Sequence, residues 1–211
     1  SSVDYDFEVD WGDGTVEQIT GEDPDPTHTY ASAGTHTVKI SGTFPRIFLD
    51  AGPGGEGDAT NAGKLQTIEQ WGSIEWQSME EAFAGASNMT YNASGAPDLS
   101  EVTSMETMFG GASSFNGAIG DWEVSNVTNM LGTFFGTTSF NQPLDSWDVS
   151  SVTNMGFMFQ DATSFNQDLN SWDVSNVRAM NLMFDGATSF NGNIEDWNVS
   201  GEVLMVQMFF G

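Results

Sequence analysis

Cysteine is absent from the 211 residues, so neither a disulfide framework nor a thiolate metal site is available. Cations are nearly as scarce. Lys and Arg number 4 against 30 Asp and Glu, a formal charge of −26. Binding to DNA, RNA or anionic lipid runs on Lys and Arg, so those partners are excluded. The charge suits divalent cations, a basic partner, a saline habitat or simply a well-solvated surface. Histidine occurs only as His28 and His36, which leaves little material for imidazole bases or ligands. No apolar run approaches the ~20 residues of a membrane helix. The opening SSVDYDFEVD has no basic-then-apolar signal segment. The last residues, MVQMFFG, stop inside a repeating unit. That predicts a fragment of a longer protein, so location is not read from missing signals.

What is present is aromatic and periodic. The chain holds 16 Phe, 11 Met and 7 Trp, enough for a substantial core. Trp122, Trp147, Trp172 and Trp197 fall 25 residues apart, and so do Phe115, Phe140, Phe165 and Phe190. A fixed period of this length marks a stacked array of repeats. One unit reads Leu169-x-x-Trp172-x-Val174-Ser175-x-Val177-x-x-Met180-x-x-Met183-Phe184. Trp-x-Val ends with the alternation of a short strand, whereas Val-x-x-Met-x-x-Met-Phe has the spacing of a helical turn. Ser125, Ser150, Ser175 and Ser200 stand between the halves, where a hydroxyl would cap a helix. The pattern predicts an α/β right-handed leucine-rich-repeat solenoid of about five units, each with a short parallel strand and a short helical segment. Trp, Phe and Met would fill its interior, with tryptophans of successive units ~4.8 Å apart. Asn116, Asn141, Asn166 and Asn191 recur where side-chain amides can bridge neighbouring turns.

The first 49 residues are different. Phe7, Val9 and Trp11 alternate with Asp6, Glu8 and Asp10, as in a half-buried strand. Gly12-Asp13-Gly14 then supplies a turn, and a second alternating stretch carries Val38 and Ile40. The order WGDGT … HTYASAGTHTVKI resembles PKD domains, which are small Ig-like β-sandwiches of extracellular proteins. A full sandwich needs about seven strands, so residues 1–49 are expected to form a partial all-β module that caps the array. Residues 50–63 are glycine-rich and read as a linker, with 64–211 as the array. Asp10, Asp13, Asp23 and Asp25 are weak candidates for holding calcium. Turn chemistry accounts for Asp13 equally well, and EDPDP reads as a solvated loop.

The phrases SFNQPLDSWDVSSVTNMGFMFQDATSFNQDLNSWDVSNV, GKLQTIEQWG and GTFPRI, following a WGDG…HTY module, resemble BspA-type leucine-rich-repeat surface proteins of bacteria. The resemblance implies a secreted or cell-surface location and adhesion to host cells, matrix proteins or other microbes. It carries no catalytic residues.

Residues flanking the tryptophans should leave the core and line an exposed strand face. Those before Trp are Asp121, Ser146, Ser171 and Asp196; those after it are Glu123, Asp148, Asp173 and Asn198. Asp145 adds a further carboxylate. Asp148 and Asp173 on successive units would repel one another. Either the face is tuned to a basic or hydroxyl-rich ligand, with calcium as an optional aid, or its charge only solubilises an exposed surface. The expected function is non-enzymatic adhesion to a peptide, protein or glycan. The alternative is a structural spacer whose ligand site lies elsewhere, which the near-identity of the two central units favours. Hydrolase chemistry is the poorest reading, because periodicity already explains the regularly spaced carboxylates.

Overall fold

The computed structural model describes residues 4–22, 26–49, 59–199 and 201–211. Most of the expected linker, together with Asp23, Asp25 and Ser200, lies outside the described residues.

The N-terminal module is a three-stranded antiparallel sheet in the order β2-β1-β3. Its strands are β1 (Tyr5–Asp10), β2 (Val16–Gly21) and β3 (Lys39–Thr43). The alternation in β1 does what period two requires: Phe7 and Val9 are buried while Asp6 and Glu8 face solvent. Gly12 (φ 78°) and Gly14 (φ 95°) turn β1 into β2. A Cβ on Gly12 would stand 2.5 Å from the Thr37 carbonyl oxygen, so only glycine fits. Val38 is 44% exposed and lies one residue before β3. The module leads straight into the array. Phe44 meets Trp76 edge-on at 5.9 Å, the Gln77 N–H donates to the Pro45 carbonyl (2.8 Å), and Arg46 bridges Ser78 in parallel.

The repeats do not form an α/β leucine-rich-repeat solenoid. Among the described residues the helix is α1, Ala59–Ala62, four residues long and ahead of the repeats. Two regular strands follow it, β4 (Thr67–Ile68) and β5 (Thr90–Tyr91), each two residues long. The rest of the array is built from turns, joined by single parallel bridges along Ser104, Asn129, Asn154, Ala179 and Leu204. Both halves of the expected unit fail for a stated reason. In the supposed helix, every fourth backbone is left-handed: Gly132 (60°) and Gly136 (64°), Phe157 (59°) and Asp161 (57°), Leu182 (57°) and Gly186 (68°). A helix needs φ near −60° throughout. The three-residue methionine spacing comes instead from β-turns, as when the Thr133 N–H bonds the Met130 carbonyl (3.3 Å). In the supposed strand, the Trp147 N–H turns back to the Leu144 carbonyl (3.1 Å) and Val152 to Val149 (2.9 Å). Ser150 and Ser175 therefore cap no helix.

Hydrogen bonds that a helix would keep for itself run between repeats. The N–H groups of Met130, Gly132, Phe134 and Gly136 donate to the carbonyls of Asn154, Gly156, Met158 and Gln160 at 2.8–2.9 Å. The neighbouring repeats copy this arrangement at Met155, Phe157, Phe159 and Asp161. Every second peptide in the segment thus points its N–H toward the later repeat and its C=O toward the earlier one. Two phenylalanine columns stack, buried through the central repeats and ending on the half-buried Phe190 and the exposed Phe209. Phe83, Phe109, Phe134, Phe159, Phe184 and Phe209 are separated by 5.4–5.7 Å. Phe115, Phe140, Phe165 and Phe190 are separated by 5.8–6.0 Å. These separations, and the 6.4 Å between Trp172 and Trp197, exceed the spacing of a strand ladder.

Trp122, Trp147 and Trp172 are buried, as the period implied. The Trp147 and Trp172 indole N–H groups donate to the carbonyls of Ile119 (2.9 Å) and Leu144 (2.8 Å) in the preceding repeat. Trp122 breaks the series: its Nε1 is buried without a hydrogen-bond partner. Ahead of it the repeat is irregular, and Trp71 packs edge-on against Trp122 at 5.5 Å. The asparagine column behaves as its position suggested. Oδ1 of Asn116, Asn141 and Asn166 accepts the backbone N–H of Asn141, Asn166 and Asn191 at 2.7–2.9 Å.

Candidate functional site

All nine residues singled out beside the tryptophans are exposed: Asp121, Glu123, Asp145, Ser146, Asp148, Ser171, Asp173, Asp196 and Asn198. The burial of Trp122, Trp147 and Trp172 forces their neighbours outward, and Asp196 and Asn198 are exposed beside the half-buried Trp197. The surface is an edge of turns, not a strand face. Four of the nine come together. Asp121, Glu123, Ser146 and Asp148 line a shallow open depression of about 390 Å³ with Gly120, Trp122 and Val124. Gly120 is confined by the next repeat, since a Cβ there would meet the Pro143 carbonyl oxygen at 2.9 Å.

Several of these side chains already have structural work. Asp148 Oδ1 accepts both the Ser150 hydroxyl (2.6 Å) and the Ser150 N–H (3.0 Å). Asp173 Oδ1 accepts the Ser175 N–H (3.0 Å), and Asp98 repeats the motif with Ser100. These are Asx-turns, in which a carboxylate two residues earlier satisfies a turn N–H. The serine bonds, hydroxyl before backbone, hold all three carboxyl groups below the ordinary carboxylate range. Repulsion from Asp173 acts on Asp148 in the opposite sense and is the weakest of its influences. Ser171 donates to the Asp145 carbonyl (2.6 Å), and Asn170 and Asp196 bond reciprocally at 2.6 and 2.8 Å. The free carboxylates of the depression are therefore chiefly Asp121 and Glu123, which sequence position alone did not separate from Asp148.

The weak calcium candidates are likewise occupied. Asp10 Oδ1 accepts the Gly12 N–H (2.9 Å), and Asp13 Oδ1 accepts the Thr15 N–H (3.0 Å). Asp13 Oδ2 pairs with His28 Nε2 at 2.8 Å, and chiefly this bond brings its pKa from 3.8 to about 2. His28 stacks on Trp11 at 4.9 Å and meets Tyr30 edge-on, while Tyr30 stacks on His36 at 3.9 Å and donates to the Trp11 carbonyl. Among the described residues no three Asp, Glu or His side chains converge as a metal site.

A small β module joined to a turn-built repeat array with an aromatic interior is the class these observations define. The chain belongs to the family described as Mycoplasma protein of unknown function, DUF285, which matches residues 59–134, 77–187 and 117–211. The PKD domain family matches residues 1–44. No curated protein and no solved structure matches the chain significantly. The PKD part of the resemblance is thus supported, and nothing in these matches speaks for leucine-rich repeats. Domains of both kinds are typical of extracellular or surface proteins, and together they suggest an adhesion-type region. Among the described residues no helix is long and apolar enough to cross a membrane.

Proposed function

We propose that this chain is a non-enzymatic binding region of adhesion type in a secreted or cell-surface bacterial protein. It recognises a peptide, protein or glycan partner of basic or hydroxyl-rich character and needs no resident cofactor. The observation that carries the reading is the depression beside Trp122. There Asp121 and Glu123 stand exposed on a rigid wall whose other carboxylate, Asp148, is held ionised by Ser150. The pairing of a PKD module with this array, and the likeness to BspA-type surface proteins, support the same reading.

The test neutralises charge without loosening the fold. Asn accepts a turn N–H as Asp does, so Asp148→Asn keeps the cap. Combined with Asp121→Asn and Glu123→Gln, it should weaken capture on a protein and glycan array by about tenfold with the chain still fully folded at the assay temperature. Undiminished capture rejects this wall as the site. One observation favours a second reading, a structural spacer: Asp148 and Asp173 are both committed to turns. A spacer captures nothing on the array in either form.

A further inference from the structure

The two central repeats are near copies over most of their length. Thr138–Val152 and Thr163–Val177 differ at three of fifteen positions: 143/168, 145/170 and 151/176. The eight residues before each, MLGTFFGT and MGFMFQDA, share only their Met and the Phe of the buried column. Packing between repeats fixes the first stretch. It does not require the second stretch to vary.

That variable segment places large apolar side chains outside the core in three successive repeats: Leu131 and Phe135, then Phe157, then Leu182. Phe135 is 40% exposed and the other three are half-buried. They share one surface. A Cβ on Gly132 would lie 3.7 Å from Phe135 Cβ, and one on Gly156 would lie 3.2 Å from Leu131 Cδ1. Leu131 therefore lies over the backbone of the next repeat, and Phe157 and Leu182 follow in the column of Gly132, beside which Phe135 stands, so that the four mark a strip along the array.

Folding does not ask for two of them. Phe157 and Leu182 hold φ of 59° and 57°, at the position where Gly132 holds 60° in the preceding repeat. Glycine adopts that conformation freely, whereas a bulky residue is strained there. Neither side chain is fully buried. The backbone beneath is already saturated: Gly132 N–H bonds the Gly156 carbonyl and Phe157 N–H the Asn181 carbonyl, both at 2.9 Å. A partner meets side chains here and cannot add a strand.

Charge narrows the partner. Glu106 stands in the column of Leu131 and Asp185 in that of Phe135, each accepting a hydrogen bond from a side-chain amide of the adjoining repeat, Asn129 and Gln160 respectively. None of Lys39, Arg46, Lys64 and Arg178 falls in this segment of any repeat. We propose that the strip is a second docking surface, taking an amphipathic peptide segment of another protein whose apolar side chains are flanked by Lys or Arg. A second copy of this chain brings 30 carboxylates of its own and fits poorly, as does an anionic membrane.

The probe is a labelled Leu/Lys peptide patterned as an amphipathic helix, titrated against the whole chain at physiological salt, with a Leu/Glu peptide as control. The Leu/Lys peptide should bind and the Leu/Glu peptide should not. Phe135→Gln with Phe157→Gly, each borrowed from the equivalent position of the neighbouring repeat, should weaken binding about tenfold or more at an equal or higher melting temperature. The tenfold fall should persist when Asp121→Asn, Glu123→Gln and Asp148→Asn are already in place, which separates this strip from the depression beside Trp122. Equal binding by the double variant overturns the proposal, because attraction would then be to the acidic surface at large. A fall in melting temperature assigns the side chains to packing and overturns it too. So does self-association in sedimentation that the double variant abolishes, which gives the strip to a second copy.

Discussion

Trp122 and Trp147 hold equivalent positions in successive repeats, with 2% and 3% exposure, yet phenylalanine should be received differently at the two sites. Both substitutions remove one ring's worth of buried surface, about 1–2 kcal/mol. At position 147 the loss also breaks the bond to the Ile119 carbonyl (2.9 Å). That oxygen keeps a second donor, the Trp122 backbone N–H at 3.2 Å. The added cost is therefore small, about 1 kcal/mol, for a total of about 2–3 kcal/mol. At position 122 the indole N–H is buried and unpaired. Removing it relieves a desolvated donor worth about 1–3 kcal/mol, which offsets most or all of the packing loss. Trp147→Phe should thus be less stable than Trp122→Phe by about 2–4 kcal/mol. Trp172→Phe, whose indole bonds Leu144, should behave like Trp147→Phe. The assay is urea denaturation followed by far-ultraviolet circular dichroism, comparing midpoints at matched slopes. Equal cost at 122 and 147, or a greater cost at 122, refutes the assignment of the indole partners.

Acid should destabilise the protein in a defined window. Asp13, lowered to about 2, and Asp98, Asp148 and Asp173, lowered by their serine bonds, have depressed folded-state values. Their contribution is present above the ordinary 3.8 and is lost as pH falls through each lowered folded-state value, about 2 for Asp13. Thermal melts from pH 5 to 2 should drop over that interval, and a flat profile contradicts the pairing. Gly12→Ala should cost the N-terminal module about 2 kcal/mol or more, because φ 78° is strained for alanine and its Cβ meets Thr37; hydrogen exchange of β1 and β2 is the readout. Stripping divalent cations with EDTA should leave the melting temperature where it was, and a marked fall would show that carboxylates of the chain hold a cation.

The sequence made some of this plain and hid the rest. Twenty-five-residue spacing identified which side chains are buried, because a column of Phe or Trp can recur only where successive repeats meet. It also located the exposed flanks at Asp148 and Asp173. It misled on backbone conformation. Met-x-x-Met spacing is shared by a helix and a run of β-turns, and the left-handed residues that decide between them include Phe157, Asp161 and Leu182. None of these types advertises positive φ; only Gly132, Gly136 and Gly186 gave a hint. The same ambiguity hid the role of Asp148, which looked like a free surface charge and is a turn cap. The variable segment was visible all along in the contrast between MLGTFFGT and MGFMFQDA. Its meaning needed the knowledge that Phe157 and Leu182 stand outside the core.

The alignment of every second peptide across the repeats gives the array a direction, like an arrow drawn from its first layer to its last. Such an order continues in one sense only, each layer presenting its acceptors to the donors of the layer before it, the pattern of a heterologous, head-to-tail contact. Two copies meeting by a twofold axis at the same face would set donor against donor.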